Sequence, residues 1–151
     1  MRGFTAIEMM IVVVIVAILT AIAVPNMLAM IRNQRIKTAA FDMFASLNFA
    51  RSEAVKRNSA VTLTPTDAAD WVKGWTITDA NGNVLRTEGN RRGTTINTLS
   101  VAELTVVGPA TVVFARSGRL GGAAGTFNFS ATSTAMTRCI TVELSGRPIT
   151  C

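Results

Sequence analysis

The chain has 151 residues, enough for one compact domain with a helical appendage, and 49% of them are apolar. Fifteen lysines and arginines against nine acids give a formal net charge of +6, which favours polyanions or an anionic membrane surface as partners without establishing either. The sequence contains no histidine, which removes the usual general base near neutral pH and the commonest zinc ligand.

An apolar run opens the chain. Residues 9–24, MMIVVVIVAILTAIAV, carry no charge. This run is slightly shorter than the roughly 17–25 residues of an independent membrane span, but residues 4–8 and 25–30 lengthen it enough. Three interpretations are open at this point. The run is a cleaved secretory signal ending in Ala21-Ile22-Ala23, a plain membrane anchor, or a span with a functional acid, Glu8, at its start.

The residues around that acid distinguish the three interpretations. Gly3-Phe4-Thr5-Ala6-Ile7-Glu8, directly before the apolar run, resembles the processing signature of type IV pilins and pseudopilins, and Pro25 lies where those proteins commonly carry a helix-kinking proline. The resemblance implies a leader of residues 1–3, cleavage after Gly3 by a prepilin peptidase, and N-methylation of the new terminal Phe4. It also implies that Glu8 pairs with the terminal amine of a neighbouring subunit, since a carboxylate in lipid or a dry filament core is tolerable when paired.

Beyond Pro25 the pattern predicts that the helix continues as an amphipathic rod. Apolar residues recur at spacings of three and four, which places them on one face: Ile36, Ala40, Phe44, Leu47, Ala50 and Ala54. Asn58-Ser59 ends the pattern. We expect residues 4–57 to form one helix on the order of 80 Å long. Residues 4–27 would cross the membrane or enter a filament core, and residues 28–57 would pack on the head.

The head, residues 58–151, has the signals of short strands. Val61 and Leu63 alternate with threonines, and further strands are predicted at 75–78, 84–86, 94–99, 103–107, 111–116 and 126–130. Asn81-Gly82 predicts a tight hairpin turn because both residues tolerate positive φ. Trp71 and Trp75 are predicted as core anchors in preference to a sugar-binding platform. The fold class is therefore α+β, with a long N-terminal helix packed on an antiparallel β-sheet head.

The two cysteines, Cys139 and Cys151, lie near the C-terminal end. Two thiols without histidine do not complete a zinc site, so we predict neither a metal nor a cofactor. A disulfide is the better interpretation, and it indicates an oxidising compartment such as the periplasm. A strand at 139–144 and a turn near Ser145 would bring Cys139 opposite Cys151.

Further segments extend the resemblance along the chain. The helix end at residues 50–57, ARSEAVKR, the turn Asp79-Ala80-Asn81-Gly82, and Ser145-Gly146-Arg147 before a terminal cysteine are similar to H-type pseudopilins and FimT-like minor pilins. The resemblance implies a subunit used in few copies, often at the filament tip, with other pilin or pseudopilin subunits as partners. It also implies a single pass through the inner membrane with a periplasmic head, before the subunit enters a periplasmic or extracellular filament.

FimT-like proteins bind DNA for natural transformation, and the resemblance extends to the basic C-terminal region. The candidate DNA-binding residues are Arg116, Arg119, Arg138 and Arg147, with Arg91 and Arg92 as a separate basic pair. Such residues contact phosphates without reading sequence. The family's DNA-binding tail tends to carry a second basic residue two positions after the Gly-Arg arginine, where this chain has Ile149. A solvated basic loop, in a secretion pseudopilin that binds no DNA, is the alternative.

No catalytic residue is predicted. The sequence has no Ser-His-Asp, Cys-His or phosphate-loop pattern, and Asp67 and Asp70 are expected in a solvated loop. An enzyme on a membrane anchor is therefore the weaker class. A secreted β-domain cut after Ala23 would begin at Val24 instead of Phe4.

Overall fold

The computed structural model describes residues 5–67, 70–89, 104–131 and 134–151. Within these ranges the side chains at positions 24–26, 28, 29, 32 and 134 are not described. The predictions for Gly3, Phe4, the pair Arg91-Arg92 and a strand at 94–99 therefore lie outside the described residues, as does the side chain of Pro25.

A single α-helix, α1, spans Ala6–Arg57, and its start differs from the predicted one by two residues. Thr5 caps its start, and Asn58 caps its end with a left-handed backbone at φ 50. Lys56 in the last turn complements the negative end of the helix dipole. At 1.5 Å per residue, α1 is about 78 Å long.

The head contains eight strands within the described residues. They are β1 Val61–Pro65, β2 Trp75–Asp79, β3 Val84–Glu88, β4 Leu104–Val107, β5 Val112–Phe114, β6 Gly125–Ala131, β7 Thr134–Val142 and β8 Pro148–Thr150. One turn of 3-10 helix, Trp71–Lys73, precedes β2. The strands form two antiparallel four-stranded sheets with the orders β3-β2-β1-β5 and β4-β6-β7-β8. The predicted α+β class is confirmed.

The second half of α1 packs on these sheets. Its buried face contains the predicted apolar stripe from Ile36 to Ala54, in which Phe44 is only partly buried. Ala39, Met43 and Ser46 are also buried on this face. Small side chains at many of these positions let the helix lie close to the sheets. The core on the other side includes Leu63, Ile77, Phe129 and Ile140, which alternate along their strands as period-two burial requires.

Both tryptophans are core residues, as predicted. Trp71 and Trp75 are buried, and the Trp71 ring meets Phe127 edge to face with the ring centres 5.0 Å apart. The Trp71 indole Nε1 donates to the Pro109 carbonyl at 3.0 Å, which satisfies its polar atom inside the core. The sugar-platform alternative therefore has no exposed ring to use at either position.

The β2–β3 hairpin forms where it was predicted, but its turn differs. Gly82 N donates to the Asp79 carbonyl at 3.0 Å, and Gly82 is left-handed at φ 83, whereas Asn81 does not have a positive φ. The Asn-Gly pair is therefore not a two-residue turn. The Asp79 carboxylate explains the change, because its Oδ1 accepts the N–H groups of Asn81 and Asn83, both at 2.9 Å.

The terminal hairpin also differs slightly from the predicted strand at 139–144. β7 begins earlier, at Thr134, and ends at Val142, because Glu143 N bonds the Arg147 carbonyl and starts the turn. β8 returns with Ile140 opposite Thr150 and Val142 opposite Pro148.

Candidate functional site

The start of α1 is closed by a capping box between Thr5 and Glu8. The Glu8 carboxylate accepts from the Thr5 N–H at 2.8 Å and from the Thr5 hydroxyl at 2.9 Å, and the Glu8 N–H donates to that hydroxyl at 3.3 Å. The two residues thus supply each other's hydrogen-bond partners within one chain. The carboxylate is therefore held at the helix start, the end of the chain to which Gly3 and Phe4 belong.

The first half of α1 is apolar and uncovered. The segment Ala6–Ala23 has a mean hydropathy of 2.8, and none of it is buried in this chain. At about 27 Å it is close to the thickness of a bilayer core. By length and composition it is sufficient to cross a membrane and to anchor the head.

Three of the four candidate arginines lie on two turns of the same construction. In the first turn, Ala115–Arg119, the Gly118 N–H donates to the Ala115 carbonyl at 2.8 Å. In the second, Glu143–Arg147, the Gly146 N–H donates to the Glu143 carbonyl at 2.8 Å. Both glycines are left-handed, at φ 74 and φ 77, a conformation that costs glycine little. We call this pair of turns the arginine turns.

The arginine turns touch each other. A Cβ added to Gly146 would lie 1.9 Å from the Gly118 carbonyl oxygen, so glycine is needed there for space as well as for its backbone conformation. Just beyond the first turn, the Leu120 N–H donates to the Leu144 carbonyl at 3.2 Å. Gly118 and Gly146, which are 28 positions apart in sequence, thereby belong to one surface.

The arginine side chains of these turns point to solvent. Arg116, Arg119 and Arg147 are exposed, and none of the three side chains has a hydrogen bond or an ion pair within the part of the chain that the structure describes. Three cations that have no ion-pair partner among the described residues, on adjoining turns, form a basic surface that favours polyanions.

Arg138 does not belong to this group. It is exposed on β7 opposite Phe129, four positions before the strand ends at Val142. At about 3.3 Å per residue, its backbone is on the order of 13 Å from that end. The structure therefore separates Arg138 from the arginine turns.

Sequence reasoning missed Arg51, which lies on α1 beside the first turn. Its Nε donates to the Gly118 carbonyl at 3.1 Å, and its side chain is half-buried. A Cβ added to Gly118 would meet Val55 at 2.8 Å, so the turn packs directly on the helix. Arg51 and Gly118 are 67 residues apart, and no local pattern connects them.

A disulfide joins Cys139 to Cys151, with their Cα atoms 5.5 Å apart. The Cys151 N–H also donates to the Cys139 carbonyl at 3.3 Å, so the backbone ladder continues to the last residue. Because the disulfide ties β8 to β7, it also fixes the Glu143–Arg147 turn between them.

The described residues contain no group of three or more histidine, cysteine, aspartate or glutamate side chains that could hold a metal ion. An open cavity of about 270 Å³ lies between Val112 of β5 and Val142 of β7 and is bordered by the glycine- and alanine-rich loop 121–125. Its lining offers no ionisable side chain. Asp67 and Asp70 both pair with Lys73. Asp67 is exposed, as expected of a solvated loop, whereas Asp70 is partly buried and its Oδ1 caps the 3-10 turn by accepting the Val72 N–H at 3.1 Å.

The profile of the family described as type II transport protein GspH matches residues 39–146. The chain belongs to the GspH family. This match runs from the head-packing half of α1 to the second arginine turn and covers most of the chain.

Solved structures support the same assignment. The type IV minor pilin FimU of Pseudomonas aeruginosa is 26% identical, with a TM-score of 0.64 over 78% of this chain and 88% of FimU. The minor pseudopilin EpsH of the type 2 secretion system of Vibrio cholerae is 15% identical, with a TM-score of 0.54 over 78% of this chain and 96% of EpsH, which shows a shared fold. No curated protein sequence matches the chain.

This GspH-family chain is therefore a subunit of the minor-pilin or pseudopilin kind. The proteins that it resembles are parts of pili and secretion systems, not enzymes. The apolar first half of α1 and the folded head are the two parts that such a subunit needs.

Proposed function

We propose that this chain is a minor pilin of a type IV pilus and enters the filament through the first half of α1. The carrying observation is that Ala6–Ala23 is wholly exposed, whereas the face of α1 from Ile36 onward is buried in the head. A continuous apolar surface of this extent requires lipid or protein around it. The inner membrane would cover it first, with the head in the periplasm, and the helices of neighbouring subunits would cover it after assembly.

Processing would create the group that Glu8 binds. A prepilin peptidase would remove residues 1–3 after Gly3 and methylate the new N-terminus at Phe4. The Glu8 carboxylate would then form an ion pair with the terminal amine of a neighbouring subunit. This pairing offsets the cost of placing a carboxylate in an apolar surrounding. The capping box supports this role because it holds the carboxylate at the helix start. Pro25 would bend the helix between its two halves.

Two substitutions test the role of Glu8. Glutamine at N3 also completes a capping box, so Glu8→Gln removes the charge and leaves the helix start intact, whereas Glu8→Val removes both. We expect both variants to be lost from sheared filaments, measured by immunoblot, while the melting temperature of the head is unchanged. Incorporation of Glu8→Gln at the parent level would show that the charge is not used for pairing.

The choice of a pilus over a secretion filament follows FimU, the neighbour whose sequence is also similar. Deletion of the gene should abolish surface pili and leave type II secretion unchanged, and complementation should restore the pili. A secretion defect with normal pili would reverse the assignment to a pseudopilin. Low copy number, counted against the major pilin, would support a position at the tip.

The arginine turns support a second role, the binding of double-stranded DNA by its phosphates. Arg116, Arg119 and Arg147 lie on touching turns, are exposed and have no carboxylate partner among the described residues. Such a surface binds phosphates without sequence preference and with strong salt dependence. Arg138, about 13 Å along β7, would contribute less.

Fluorescence anisotropy with duplex DNA over a salt series tests this role. We expect Arg116→Ala/Arg119→Ala and Arg147→Ala to weaken binding strongly and Arg138→Ala to weaken it little. Arg86→Ala is the matched control, because Arg86 is also exposed but pairs with Glu88. Absence of binding by the parent chain at low salt would leave a purely structural minor pilin.

A further inference from the structure

Arg51 is a half-buried cation whose charge is not neutralised by the described residues. Its guanidinium has five N–H donors, and the structure assigns a partner to one of them, the Nε that bonds Gly118. Other arginines near helix and strand ends are neutralised by a carboxylate. Arg57 donates to Glu53 at 2.6 Å, and Arg86 donates to Glu88 at 2.6 Å. Arg51 has no such carboxylate within the described residues.

The position of Arg51 relates this cation to the arginine turns. The Gly118 carbonyl oxygen accepts the Arg51 Nε at 3.1 Å and also abuts Gly146, the residue before Arg147. This single oxygen atom is thus in contact with α1 and with both turns. The Nη groups of Arg51 are bonded to the same carbon as Nε, so they lie within a few ångströms of the place where the two turns meet.

We propose that Arg51 is a phosphate-binding residue of the basic surface formed by the arginine turns. Its Nε holds the Gly118 carbonyl and fixes the guanidinium plane, and its Nη groups donate to the sugar–phosphate backbone of duplex DNA. Partial burial strengthens such a contact, because the charge is less screened than at the surface, and a planar guanidinium suits phosphate oxygens. This inference rests on the proposed DNA-binding role and places α1 itself in the binding surface.

Two substitutions separate phosphate binding from a merely structural role. The amide nitrogen of glutamine is the same number of bonds from the backbone as Nε of arginine, so Arg51→Gln keeps a donor for Gly118 and removes the charge. Arg51→Lys keeps the charge but moves its donor one bond further out. A phosphate contact therefore predicts weak DNA binding by the glutamine variant and near-parental binding by the lysine variant. If Arg51 only holds Gly118 in place, the glutamine variant should bind DNA more tightly than the lysine variant.

The experiment measures the affinity of the full-length chain, in detergent micelles, for duplex DNA by anisotropy between 0.1 M and 1 M salt. Each phosphate contact contributes about 0.9 to the magnitude of the slope of log affinity against log salt. Loss of one contact in Arg51→Gln should therefore reduce this slope by about 0.9. If the proteins bind equally at 1 M, this is about an eightfold loss at 0.1 M. Arg86→Gln should match the parent chain.

The outcomes distinguish the inference from the function on which it rests. Parental affinity and slope in Arg51→Gln, with loss of binding in Arg116→Ala/Arg119→Ala, would overturn the role of Arg51 and leave DNA binding by the turns in place. Failure of the parent chain to bind would overturn both. A reduced slope in Arg51→Gln together with an unchanged melting temperature would establish the phosphate contact.

Discussion

The two halves of α1 have the same secondary structure and opposite surroundings. From Ala6 to Ala23 no residue is buried in the chain, whereas Ile36, Met43 and Leu47 are completely inaccessible. The first half is apolar on all sides, but the second half is apolar on one face and basic or polar on the others. The first half therefore has no packing partner among the described residues, whereas the second half packs on the head.

The largest expected effect comes from a cavity in the second half. Leu47→Ala removes a fully buried side chain, and we expect it to lower the free energy of unfolding of the head by about 2–5 kcal/mol. Leu19→Ala in the first half is the control, because Leu19 is 61% exposed and touches no part of the head core. The free energy of unfolding of both variants is measured by denaturant titration in detergent micelles, with the near-UV signal of the tryptophans as the probe. Equal losses would mean that the two halves are not independent.

Reduction of the disulfide comes next. The bond between Cys139 and Cys151 closes a loop with a sequence separation of 12, worth roughly 3 kcal/mol in the chain-entropy model. Reductant should therefore lower the melting temperature of the head, while the helical signal of the apolar half persists. The variant Cys139→Ser/Cys151→Ser should melt early and be insensitive to reductant. An unchanged melting temperature of the reduced parent would contradict a stabilising disulfide.

A smaller gain is expected from Ser46→Ala. The Ser46 hydroxyl is buried on the core face of α1 and has no hydrogen-bond partner among the described residues. Removing a buried unpaired hydroxyl should raise the free energy of unfolding by about 1 kcal/mol. Ser52→Ala removes an exposed hydroxyl that donates to the Phe49 carbonyl, and it should change the free energy of unfolding by only about a few tenths of a kcal/mol. Destabilisation by Ser46→Ala would reveal a partner for that hydroxyl.

The smallest effect concerns pH at the end of α1. The hydrogen bond from Arg57 holds the pKa of Glu53 below its usual value of 4.5, with Lys56 adding to it. A lowered folded-state pKa gives stability that is present above about pH 4.5 and is lost as the pH falls through the folded pKa. The stability difference between the parent and Glu53→Gln should therefore be constant near neutral pH and shrink below about pH 4.5.

Thermal melts of both proteins from neutral to acid pH measure this difference. Asp79, whose pKa is also lowered, chiefly by Asn83, is present in both proteins and cancels in the comparison. A difference that grows on acidification would contradict the assigned pairing.

Elements with a local signal could be predicted from the sequence. The helical stripe from Ile36 to Ala54 repeats every three to four residues, and the helix ends where Asn58 was expected to end it. The terminal hairpin followed from alternation around Ile140 and from the spacing of the cysteines. In each case the residues that interact are close in the chain, so propensity and spacing carry the information.

Features that depend on distant residues could not be predicted. The pairing of β1 with β5 joins Leu63 to Val112, and the division into two sheets follows from such pairings. The contact of Arg51 with Gly118 has no sequence signal at either residue. The Asn81-Gly82 turn failed for a local reason, because side-chain bonds from Asp79 outweighed the backbone preference of the Asn-Gly pair.

The length of α1 between its two environments has a consequence for how the head stands above a bilayer. The candidate span ends at Ala23 and full burial in the head begins at Ile36, a separation of about 20 Å along the helix axis. The headgroup layer of one leaflet occupies roughly 5–8 Å of this distance. If Ala6–Ala23 crosses a membrane, about 12–15 Å of helix would separate the lipid from the first fully buried residue of α1, on the order of one helix diameter.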